Sequence, residues 1–82
     1  MASPTVAAGK DVGEKLFLWR EAYGWTQTLT AEKAGIDRST VVLTETGETR
    51  PRLVTLRRLA KAFGVSVDEL LSGPLPEEKT TT

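Results

Sequence analysis

The sequence predicts an all-α fold, a single compact domain of five short helices, and three observations predict it. Glycines at 13, 24, 35, 47 and 64 and an inner proline at 51 cut residues 11–72 into pieces of helical length. Within those pieces apolar side chains recur at three- and four-residue intervals instead of alternating. Residues that favour helix starts (Thr26, Asp37, Ser66) stand ahead of the apolar positions, and glycines stand behind them.

The first helix is expected from Asp11 to Tyr23, where Val12, Leu16, Trp19 and Tyr23 share one face and Gly24 closes the end. Thr26 then serves as N-cap for 27–34, with Thr30, Ala31 and Ala34 on one side and Gly35 after them. Asp37 is placed to cap a third helix, 38–46, which turns Val41, Thr44 and Glu45 to one side and ends at Gly47. Past the polar loop 48–52, Leu53, Leu56, Leu59, Ala60 and Phe63 make the clearest amphipathic stripe in the chain, ended by Gly64. Ser66 with Glu69 three residues later is a capping box, opening a last helix through Leu71. The flanks read differently. Residues 1–10 suit a flexible arm, and the proline-bearing stretch 73–82 suits a disordered tail.

Composition removes function classes. The 82 residues include no Cys and no His, so thiolate zinc sites, thiol nucleophiles and imidazole bases are excluded. No nucleophile–base pair, phosphate-cradling glycine loop or metal cluster is visible, so neither an enzyme nor a cofactor is expected. The longest apolar run is Leu16–Trp19, which points to a soluble, cytoplasmic domain. Lys plus Arg and Asp plus Glu balance at 11 each, yet the charge is unevenly spread. Residues 38–61 hold Arg38, Arg50, Arg52, Arg57, Arg58 and Lys61 against Glu45 and Glu48 only. Such a local patch is what phosphate contact needs, although Arg57, Arg58 and Lys61 also read as a solvated helix face.

The second and third helices meet through Gly35-Ile36 alone. Two short helices with so tight a turn form a helix-turn-helix unit, whose second helix can enter a major groove, as any small bundle's tight corner can also resemble. The letters go further. Gly24-Trp25-Thr26-Gln27, Ala31 to Ile36, Ser39-Thr40-Val41, Glu45, Gly47, Arg50-Pro51, Thr55-Leu56, Leu59 to Ser66 and Asp68 to Leu71 resemble the Cro/CI-type (XRE-like) helix-turn-helix repressors across residues 12–71.

The resemblance implies a lambda-repressor-like domain that binds double-stranded DNA and regulates transcription as a repressor. It also implies a cytoplasmic, nucleoid-associated setting of bacterial or phage origin, and a homodimer on paired half-sites. The segment 37–46 would lie in the major groove. Arg38, Ser39 and Thr40 would reach base edges, Arg38 by a guanine pair or by a phosphate. Leu43 would meet a thymine methyl or a protein partner. Gln27, Thr46, Arg50 and Arg52 would anchor phosphates. Arg20 and Glu45 would form a partly buried ion pair between the first and third helices.

Some positions depart from that pattern. Thr30 and Thr44 replace the usual Leu and Ile, and Trp19 and Trp25 replace smaller aliphatics. The expectation is that the indoles fill the volume the threonines leave, and that both hydroxyls bond to the preceding helical turn. Asp37 is a favourable cap but sits ill beside phosphate. Phe17, Leu18, Leu29 and Leu43 stand where polar residues are usual, which suggests an apolar interface. The alternative function is therefore a protein-interaction module or an antitoxin on the same scaffold.

Overall fold

The computed structural model describes residues 8–75. Five helices follow in order: α1 Ala8–Tyr23, α2 Gln27–Ala34, α3 Arg38–Thr46, α4 Leu53–Phe63 and α5 Val67–Ser72, with no strand among the described residues. The expected elements are all present. Thr26 accepts a bond from the Leu29 N–H at 3.0 Å, and the capping box of Ser66 and Glu69 is formed at both of its bonds. Asp37 holds the N-cap backbone geometry of α3, but its carboxylate makes no capping bond. Its backbone carbonyl receives Thr40 N–H instead, at 3.0 Å.

Two boundaries differ from expectation. α1 starts at Ala8, inside the stretch expected as an arm. No proline and no residue with a capping side chain lies between Ala8 and Lys10 to set a start there, so the helix runs past Asp11. At the other end Leu75, expected in the tail, packs partly buried against the core. The rest of the expected arm and tail, 1–7 and 76–82, lies outside the described residues.

α1 packs on α3 and α5, α2 on α3 and α4, and α4 on α5. The core is Leu16, Trp19, Ala31, Ala34, Val41, Leu59, Ala60, Phe63 and Leu70. Each large member contributes about 1.5–3 kcal/mol through the area it withdraws from water. Leu53 is a correction to the α4 stripe. It is 54% exposed, because a helical side chain leans toward the turn before it, and in the first turn of α4 there is none.

Gly13 is another correction, since it breaks nothing. It lies buried within α1, where a Cβ would stand 2.1 Å from the Thr44 carbonyl oxygen and 2.8 Å from that of Glu45. Glycine is what allows the α1 backbone to touch the end of α3. Nearby, the two buried threonines behave differently. Thr30 Oγ1 donates to the Thr26 carbonyl at 2.9 Å, whereas Thr44 Oγ1 is buried without a partner. The expected return bond therefore exists at Thr30 and not at Thr44.

The two indoles pack with Tyr23 and Phe63. Trp19 is buried beside Phe63 and Tyr23, at centroid distances of 5.7 and 6.2 Å, and donates Nε1–H to the Leu70 carbonyl at 3.0 Å. Trp25 is only partly buried, stacked on Phe63 at 4.9 Å and edge-on to Tyr23. Both indoles serve the corner of α1 with α4 and α5.

Candidate nucleic-acid interface

The turn between α2 and α3 is built by Gly35 and held from outside. Gly35 adopts φ +72°, a left-handed conformation that glycine reaches without the Cβ penalty other residues meet. That conformation lets the Ile36 N–H reach back to the Ala31 carbonyl at 3.0 Å. Ile36 then packs against the core, and Arg58 Nη1 donates to the Gly35 carbonyl at 3.3 Å. Arg58 is exposed, as expected from sequence, and also engages the turn. Arg57 and Lys61 are exposed.

α3 divides cleanly. Val41 and Thr44 are fully buried and fix its inner face. Arg38 and Ser39 at its leading end are exposed, with Thr40 half-buried beside them. Leu43 is half-buried. Thr46 is exposed, and its hydroxyl donates to the Leu43 carbonyl at 3.1 Å. Arg50 and Arg52 are exposed in the following loop. Arg38, Arg50 and Arg52 thus remain open to a ligand, whereas Thr46 must release the Leu43 carbonyl before donating elsewhere.

Gln27 opens α2 half-buried, and its Nε2 donates to Glu45 Oε1 at 3.2 Å. Glu45 is in turn paired with Arg20. Arg20 Nε meets Glu45 Oε2 at 2.6 Å and Nη2 meets Oε1 at 2.9 Å, a fork-to-fork arrangement whose side chains are 10% and 7% exposed. The third arm of the guanidinium, Nη1, donates to the Trp25 carbonyl at 2.9 Å and lies 3.8 Å from Glu21. One cation therefore joins α1, the entry to α2 and the end of α3. The hydrogen bond to Glu45 raises the Arg20 pKa above its ordinary value, outweighing the opposing effect of burial. A raised value in the folded state means that the Arg20 contribution is lost only as pH rises into the guanidinium range, so it does not fade around neutrality.

The apolar positions singled out in the sequence are unequally exposed. Phe17 is 43% exposed with the Arg20 guanidinium 5.3 Å from its ring centre, while Leu18, Leu29 and Leu43 are half-buried. Larger apolar exposure occurs at Leu53 and Val54 (54% and 52%), immediately after Arg52. Sequence reasoning assigned Leu53 to the core and passed over Val54; their place in the first turn of a helix after a polar loop was the available signal. No described helix is long and apolar enough to cross a membrane.

Comparison with known proteins agrees with this geometry. The family described as Helix-turn-helix matches residues 16–70. The chain is 34% identical over 56 residues to an HTH-type transcriptional regulator of Methanocaldococcus jannaschii, covering 68% of this chain and 85% of that one. It is 35% identical over 63 residues to the HTH-type transcriptional activator BcrR of Enterococcus faecalis, a match covering 77% of this chain but only 31% of BcrR. The chain thus spans about a third of that longer regulator. Among solved structures, the restriction-modification controller protein C.AhdI from Aeromonas hydrophila superimposes with a TM-score of 0.75 at 34% identity, covering 79% of this chain and 98% of C.AhdI.

Proposed function

The chain belongs to the helix-turn-helix family, and from that premise we propose that it is a sequence-specific DNA-binding regulator of transcription that seats α3 in the major groove. The observation that carries this reading is the leading end of α3. Arg38 and Ser39 stand exposed there while Val41 and Thr44, further along the same helix, are held in the core. Arg38 supplies a planar donor fork suited to guanine, with Ser39 and Thr40 beside it. Gln27, Thr46, Arg50 and Arg52 bind the sugar–phosphate backbone and set the register. Two copies would read half-sites about one helical turn apart. The activity belongs in the cytoplasm and includes no catalytic step.

Selection from a random duplex pool tests the reading. It is expected to return one sequence family, bound with an affinity that falls steeply as salt rises. Replacing Arg38 by Ala should relax one base position at a cost of about 1–3 kcal/mol. Recovery of no preferred sequence, with flat binding across salt, would refute the proposal. The competing reading, a protein contact through Phe17, Leu18, Leu29 and Leu43, is weaker because only Phe17 of the four is exposed.

A further inference from the structure

We propose that Glu45 is a positioning residue for the DNA contact of Gln27, an inference that rests on the DNA-binding reading above. An ionised carboxylate only accepts hydrogen bonds, so the side-chain atom that Gln27 turns toward Glu45 has to be its nitrogen. The 3.2 Å bond from Nε2 to Oε1 uses one amide hydrogen and leaves the second for a ligand. Glu45 cannot swing away with Gln27, because Arg20 grips both of its oxygens at 2.6 and 2.9 Å and is itself tied to the Trp25 carbonyl, two residues before Gln27.

The phosphate oxygens of DNA are also acceptors. A free carboxamide can turn its oxygen toward them as readily as its nitrogen, and the first orientation repels. With its nitrogen committed to Glu45, the Gln27 amide meets the backbone with its donor already selected. Its rotamer freedom is given up on folding and not at the moment of binding. The ion pair thereby does more than hold α1 to α3: it passes its fixed geometry to a side chain at the start of α2.

The sequence contains one Gln and no Asn, so the Gln27 side chain is the only carboxamide NH₂ in the protein's ¹⁵N spectrum. Its order parameter in the DNA-free protein is expected near the rigid-backbone value of about 0.85. A value below about 0.6 overturns the proposal without recourse to any variant. Binding to the selected duplex supplies the second arm. Gln27→Ala should weaken it about tenfold, the usual size for a hydrogen bond to a charged group, with the salt slope unchanged because Gln carries no charge.

Glu45→Gln, confirmed folded by near-ultraviolet circular dichroism, should weaken binding by a similar factor in the wild-type background and less than about twofold in the Gln27→Ala background. Equal losses in both backgrounds would make Glu45 purely structural and overturn the inference. If Glu45→Gln does not fold, the order parameter decides. A wild-type chain that binds no duplex ends the parent reading and this one together, whereas wild-type binding indifferent to Gln27→Ala ends this one alone.

Discussion

α1 touches the rest of the protein along two unlike seams. Toward α3 the seam is close and polar: a glycine backbone against two carbonyls, a forked ion pair, and a buried threonine without a partner. Toward α4 and α5 it is aromatic. Trp19, Tyr23, Trp25 and Phe63 pack at 4.9–6.2 Å between ring centres, and Tyr23 donates its hydroxyl to the Phe63 carbonyl at 2.6 Å. The aromatic seam gains stability from area, with about 0.5–1.5 kcal/mol more per favourable ring pair. The polar seam fixes where α3 ends and how α2 begins. The aromatic region adds cohesion and the polar one places α3.

Substitutions can break or sharpen that contrast. The largest effect is expected at the ion pair. Glu45→Ala strands the buried Arg20 charge and should cost about 3–5 kcal/mol in urea unfolding, with Arg20→Met/Glu45→Leu recovering most of the loss. A cost under about 1 kcal/mol would put the pair on the footing of an exposed one. Gly13→Ala comes next. Its new methyl collides with backbone that cannot move aside, for an expected loss of about 2–3 kcal/mol, against a gain of at most about 1 kcal/mol from helix propensity.

In the aromatic seam, Trp19→Phe keeps a ring but gives up the bond to the Leu70 carbonyl and some volume. The expected loss is about 1–2 kcal/mol, readable as a lowered unfolding midpoint. Thr44→Val should change least and in the opposite direction. It removes a buried hydroxyl that bonds to nothing and should stabilise by about 1 kcal/mol, while Thr30→Val, which removes a satisfied hydroxyl, should not. Equal responses at the two threonines would erase the distinction drawn between them.

The elements were legible from the sequence because each carries a local signal. Gly35 and Gly47 close their helices, and Thr26 and Ser66 open theirs. The buried face of α2, Thr30 with Ala31 and Ala34, follows from spacing alone. What stayed hidden depends on partners distant in the chain. Gly13 reads as a breaker until α3 is seen against it. The bond of the exposed Arg58 to the Gly35 carbonyl, 23 residues away, carries no local signal. In α3, the inner face of Val41 and Thr44 was foreseeable from periodicity, and its outward leading end from the family resemblance. The engagement of Gln27 with Glu45 was not, since it joins the first turn of one helix to the last turn of the next.

The contrasting surroundings of the two indoles have a practical consequence. Trp19 is sealed inside, whereas Trp25 lies near the surface with the Lys33 ammonium 5.1 Å from its ring centre. A water-soluble quencher should therefore dim the outer fluorophore and spare the inner one. Without any attached dye, the protein can report separately on loosening of its interior and on events at the doorway to α2.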